Sequence, residues 1–240
     1  HSFILKISDK IIYIDPYLSD KDKRLIPPFL APNEINNATI ILGTHDHSDH
    51  IDRPAWLILK DTSPLAKFAV PELILSSIVS QLGFLPEQLV GFNDLASKEI
   101  YGVKITAVAS AHEFLDYDEK KGLYPYLGYI IEYNGITVYH SGDCCIYEGL
   151  SLKLKKWQID IALLPINGRD AVRYNAKCIG NMTFQEAADL AGTLKPALSV
   201  PAHYDMFAGN RENPANFTEY VKAKYPYLKT AIPKYATMMK

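Results

Sequence analysis

Cysteine is scarce in this chain and cannot form a disulfide framework. There are three, Cys144, Cys145 and Cys178. An odd count with two adjacent residues excludes a small disulfide-stapled domain and points to a reducing compartment, the cytoplasm. Charge excess is also lacking. The 25 basic and 27 acidic residues leave a net charge of −2, so no basic stripe for nucleic acid is expected. Apolar runs are short and interrupted, which excludes a transmembrane helix, and no membrane partner is expected. Fixed-period repeats, low-complexity tracts and linker-like breaks are missing. The 240 residues, 48% of them apolar, therefore read as a single domain over 1–240 with a full core.

What is present is an alternation of strand and helix signals. Residues 3–7 and 11–14 read as two strands around a polar turn, and the chain enters the first almost at once after His1, as though its N-terminal edge were cut short. A charged, proline-rich loop is expected over 19–33. Residues 39–42 read as a buried strand, 54–60 as a helix with Pro54 in its first turn, 68–70 as a strand and 71–81 as an amphipathic helix. Hairpins are expected over 100–108 and 129–139, the second around Asn134-Gly135. A helix near 149–157 precedes a buried strand over 159–165. Thr183 and Glu186 form a capping box that opens a helix to about residue 194. A strand over 197–201, a helix over 213–224 and a last strand near 228–232 complete the chain. Helices alternating with strands and hairpins predict an α/β sandwich with mixed sheets.

The chain has seven histidines, and three fall within His45-x-His47-x-Asp49-His50. The cluster directly follows an apolar strand, where α/β proteins place functional groups. Residues two apart on extended backbone share a side, so His45 and His47 can reach one cation. Asp49 and His50, beyond the turn, can face a second. Three later candidates sit in the same way just past a strand: His112, Asp143 in His140-Ser141-Gly142-Asp143, and His203. Seven imidazole and carboxylate candidates exceed the need of one tetrahedral ion and suit two. Without thiolates the set favours manganese, zinc, iron or nickel.

In this order and spacing, the motifs His45-x-His47-x-Asp49-His50, His112, Ser141-Gly142-Asp143 and His203 resemble the metallo-β-lactamase superfamily across nearly the whole chain. The resemblance implies a four-layer αββα sandwich of two pseudo-symmetric halves, with the site at one edge. It implies that His45, His47 and His112 hold one metal, that Asp49, His50 and His203 hold a second, and that Asp143 bridges them. The implied cofactor is two divalent ions, manganese or zinc, with iron as a further option. Residues 160–167, the loop to Gly180-Asn181-Met182-Thr183, and residues 201–205 are similar to L-ascorbate-6-phosphate lactonase and its relatives. Cys144 departs from the threonine common after the bridging aspartate.

This reading implies a metal-bridging hydroxide that opens a small, phosphorylated lactone or ester, with Asp49 orienting it and moving a proton. His140 is expected to hold a ligand from behind. Arg169 and Arg173, in the loop 168–174 leading to the Thr183 helix, are expected to contact phosphate, and Tyr204 and Asp205 to shape the pocket. Trp56 and Trp157 read as packing residues, and terminal His1 is assigned no role. The partner is a small molecule, and a homo-oligomer is compatible. Three alternatives remain: a small-molecule phosphodiesterase, a di-iron redox protein (whose relatives replace the second motif histidine with a carboxylate) and a non-catalytic binding module.

Overall fold

In the computed structural model, which describes residues 1–20 and 23–239, two mixed sheets stack face to face between helical layers. The first contains β1 (Phe3–Ile7), β2 (Lys10–Ile14), β3 (Ile40–Leu42), β4 (Lys67–Pro71) and β5 (Leu89–Phe92), in that order. β1 and β2 are an antiparallel hairpin, and every later neighbour is parallel. Parallel neighbours need crossovers. Here they include α1 (Arg53–Thr62) and α2 (Glu72–Leu82). The second sheet runs from β6 (Ser97–Ile100) through β7 (Val103–Ala109), β8 (Leu127–Tyr133), β9 (Ile136–His140) and β10 (Ile161–Pro165) to β11 (Leu198–Ala202). Its first four strands are antiparallel and its last two parallel additions. The outer helices are α3 (Leu150–Leu154), α4 (Ala171–Asn175), α5 (Phe184–Leu194) and α6 (Pro214–Lys224).

Period-2 patterning builds the layers. On β2 and β3, Ile12, Ile14, Ile40 and Leu42 face the second sheet and meet Ile105, Tyr129, Ile131 and Val200. Tyr13 and Ile41, one residue out of phase, face outward onto Trp56, Leu59 and Ile78 of α1 and α2. On the far side Ile130, Tyr139 and Leu164 pack under Leu150, Ala187, Ala191 and Phe217. This is the αββα sandwich expected. Trp56 is fully buried, in contact with Phe68, and Trp157 packs against the far core.

The strand expected near 228–232 does not form. Ser199 donates to the Lys229 carbonyl and accepts from the Ala231 amide, and pairing stops there as a single bridge at Thr230. The next two parallel bonds would need N–H groups on Pro201 and Pro233, and proline has none. Loop 168–174 also differs from expectation, because Asp170 caps the short helix α4. β5 was not anticipated. The loop expected over 19–33 includes residues 21–22, which lie outside the described residues.

Candidate metal centre

The ligand candidates lie together because each follows a strand whose end reaches the same edge. β3 ends at Leu42, and Gly43 and Thr44 carry the chain to His45. Two bonds tie this exit to the second sheet: Tyr129 Oη donates to the Gly43 carbonyl at 3.0 Å, and the Leu127 amide to the Thr44 carbonyl at 3.0 Å. The exits of β7 and β9 are laced together, since Ser110 Oγ donates to Ser141 O at 2.6 Å and the Cys145 amide to Ala111 O at 2.6 Å. His112 and Asp143 thereby meet. Gly142 has φ of +61°, and a Cβ there would lie 2.7 Å from Leu127 O. Glycine is required for that turn. His203 follows β11 with φ of 54°, a left-handed backbone of the kind held only by surrounding constraints and concentrated at functional sites.

Three overlapping groups result, each with ligand atoms within 4.8 Å of one another: His45, His47 and His112; His45, His50 and Asp143; and His1, Asp49, His50 and His203. Asp143 touches more than one of them. Its Oδ1 lies 3.3 Å from His50 Nε2, and its Oδ2 lies 3.2 Å from His203 Nε2 and 3.6 Å from His112 Nε2. Asp49 Oδ2 stands 3.6 Å from His50 Nε2 and 3.8 Å from His203 Nε2. His50 Nε2 and His203 Nε2 are buried and face the Asp143 carboxylate at 3.3 and 3.2 Å without hydrogen-bond geometry. A buried nitrogen left unpaired is costly, and a cation answers that cost. The donor set therefore fits bound metal.

The electrostatics agree. Burial drives the His45 imidazole well below its ordinary range, with His50 adding to the effect, so it is held neutral as a ligand must be. Burial also disfavours charge on His50, but Asp143, Asp15 and Asp49 outweigh it and hold that group well above its ordinary value, so these carboxylates favour a positive charge at Nε2 that a cation would supply in place of the proton. Burial raises Asp143, yet His203 and His50 prevail and keep it ionised.

Asp15 was missed in the sequence. It follows β2, is fully buried, and takes φ of 46°. Its Oδ2 receives His50 Nδ1 at 2.7 Å and Thr44 Oγ1 at 2.8 Å, while Oδ1 accepts the Thr44 amide at 2.8 Å. With the His50 Nδ1 proton held there, Nε2 turns its lone pair to the centre. The available signal was an aspartate directly after an apolar strand. His140 accepts the Gly142 amide on Nδ1 at 3.0 Å and so braces the turn before Asp143. Burial lowers its imidazole to about 4, leaving it neutral. Cys144 is fully buried in the core, and burial pushes its thiol up to about 12, leaving it inert.

The substrate-side residues fall differently. A cavity of about 430 Å³ opens on His47, Asp49, His112, Asp143 and His203, and Lys177, Cys178, Ile179, Phe207 and Asn210 are among its other walls. Arg169, Arg173, Tyr204 and Asp205 do not line it. Arg169 gives both guanidinium arms to Glu186, at 2.6 and 2.7 Å. Glu186 is the capping-box residue of α5, so the anion expected at that helix start is the chain's own. Arg173 pairs with Asp170 and donates to Arg211 O at 2.8 Å. Tyr204 packs on the helix-side core. Arg169 instead borders a neighbouring cavity of about 300 Å³ that shares Cys178 with the first.

A family model described as a beta-lactamase superfamily domain matches residues 10–204. A UPF0173 metal-dependent hydrolase of Pyrococcus abyssi is 30% identical over 227 residues, covering 89% of this chain and 92% of that protein. Another, from Lawsonia intracellularis, is 33% identical over 218 residues, covering 85% of each. The structure of Igni18, a metallo hydrolase from the archaeon Ignicoccus hospitalis, is similar with a TM-score of 0.76 and 25% identity, over 97% of this chain and 91% of that one. The chain belongs to the UPF0173 metal-dependent hydrolases of the metallo-β-lactamase superfamily.

Proposed function

We propose that this metal-dependent hydrolase works with two divalent cations, manganese or zinc, and cleaves a small ester or lactone. One observation carries the reading. The triad His45, His47 and His112 shares no residue with the set Asp49, His50 and His203, and Asp143 stands between them, 3.6 Å from His112 and 3.3 and 3.2 Å from His50 and His203, in a third group with His45 and His50. Bound cations supply Lewis acidity and a hydroxide near neutral pH. The chain's own residues do the rest. Asp49, with a side chain 17% exposed beside buried His50 and His203, would accept a proton from the attacking water on the carboxylate oxygen left free by the cation and pass it to the leaving alkoxide. Asp15 and Thr44 hold the histidine loop still. Ile179 and Phe207 give the cavity mouth apolar walls, and Lys177 and Asn210 offer donors to a substrate carbonyl or ring oxygen.

A phosphorylated sugar lactone, as opened by L-ascorbate-6-phosphate lactonase, is the first substrate to try. Its phosphate would extend into the cavity bordered by Arg169. The three free cysteines suit a cytoplasmic setting, and among the described residues no helix is long and apolar enough to cross a membrane. The test is a panel assayed with the manganese- and zinc-loaded protein: a phosphorylated sugar lactone, an unphosphorylated lactone, an aryl ester and an aryl phosphodiester. Carbon–oxygen hydrolysis exceeding phosphodiester cleavage is expected. Phosphodiester cleavage alone would replace this reading.

A further inference from the structure

His1 stands inside the centre. Its imidazole Nε2 lies 2.8 Å from the Asp49 carbonyl oxygen and 3.9 Å from Asp49 Oδ2. The ring packs against His50 at 4.5 Å and His203 at 4.7 Å between centroids. A carbonyl only accepts, so Nε2 carries the proton and donates. Nδ1 is then a lone pair, buried and without a partner. The residue is itself fixed from both sheets. His140, at the end of β9, uses its Nδ1 on Gly142, which leaves Nε2–H to donate to the His1 carbonyl at 3.3 Å. Ser2 Oγ donates to Asp15 O at 2.6 Å and accepts the Tyr17 amide at 3.3 Å. An imidazole held this firmly, with its donor committed to Asp49, is not free to serve as another ligand through Nε2.

We infer that His1 is a positioning residue of the centre: its Nε2–H clamps the Asp49 carbonyl, and its ring braces His50 and His203 so that the second cation subsite is preformed. The effect on cation binding rests on the two-cation reading; the clamp on the Asp49 turn does not.

Three variants of the full chain separate the parts. His1→Phe keeps the ring and loses the donor, His1→Gln keeps a donor near the Nε2 position, and His1→Ala loses both. Hydrogen exchange in the metal-free protein reads the clamp directly. The amides of His50 and Ile51, which bond to His47 O at 3.0 and 2.8 Å, should exchange about tenfold faster in His1→Phe, the worth of one hydrogen bond. They should stay near wild type in His1→Gln. Amides of β8 and β9 serve as the control and should not change. Equal protection in His1→Phe and wild type, or faster exchange everywhere, overturns the inference. Cobalt titration followed by visible absorption then reads the subsite. The second equivalent should weaken by about 10–100-fold in His1→Phe and His1→Ala, the usual effect of losing a residue behind a ligand, and recover in His1→Gln. The first equivalent should hold. Unchanged titrations, or equal loss of both equivalents, count against His1. Wild-type protein that binds one cobalt would remove the two-cation reading, and the exchange result would still decide the clamp.

Discussion

The strand-end cluster and the 168–180 segment both border the site, and they are built in opposite ways. In the cluster, each ligand candidate follows a strand end, five of the seven are buried with exposures of 5% or less, and the backbone is bonded across both sheets. In the segment, α4 has no buried residue, Val172 and Tyr174 are 78% and 72% exposed, and both arginines are held by protein carboxylates, Arg173 by Asp170 and Arg169 by Glu186 of α5. The cluster is set by the sandwich and is where the proposed chemistry would occur. The segment joins β10 to α5, and only its far end, Ala176 to Ile179, reaches the cavity over the ligand candidates. On the proposed reading, reaction type belongs to the strand-end cluster, and substrate choice to the part the fold constrains least.

The comparison breaks if changes in the cluster are mild or changes in the segment severe. The largest effect is expected for Asp143→Ala, which removes the carboxylate shared by both ligand sets. In steady-state assays kcat/KM should fall about 10⁴-fold, equivalent to ~5.4 kcal/mol of barrier, with loss of bound metal by elemental analysis. Asp49→Asn should lower kcat by about 10²–10³-fold, within the range of general acid–base contributions, while the cation on His45, His47 and His112 is retained. Full activity in that variant would remove Asp49 from proton transfer. Asp15→Asn should weaken cation binding about 10–100-fold in calorimetric titration, because His50 loses the carboxylate that fixes its Nδ1 proton. The smallest effect is expected in the segment. Arg169→Ala breaks a half-exposed pair with Glu186, and chemical denaturation should register about 1 kcal/mol or less. KM for an unphosphorylated ester should be unchanged. A KM increase confined to phosphorylated substrates would mean that Arg169 exchanges Glu186 for phosphate.

The same contrast explains what could be read from the chain before its fold was known. Hydrophobic period and turn residues place the strands, and the seven ligand candidates are legible because a polar residue directly after an apolar strand stands out. Asp15 carries that same signal but lies thirty residues from the histidine cluster, and nothing local says which side chain it will meet. His1 looked like an unassigned terminal residue, and only the pairing of β1 with β2 and the brace from His140 bring it to the centre. The arginines meet protein groups for a different reason. An anion site at a helix start is predictable, but whether the anion is a ligand or Glu186 depends on a capping geometry that satisfies itself. The last strand failed because its ladder would have needed two donors that proline lacks, a detail visible only once the register with β11 is known.

The central claim is that two cations share Asp143. Metal-free protein titrated with manganese or zinc, with binding followed by calorimetry and elemental analysis after dialysis, tests it most directly. The account predicts two equivalents per chain in the wild type, and loss of both high-affinity sites in Asp143→Ala. A single equivalent at saturation, or two equivalents that survive the removal of Asp143, would contradict it.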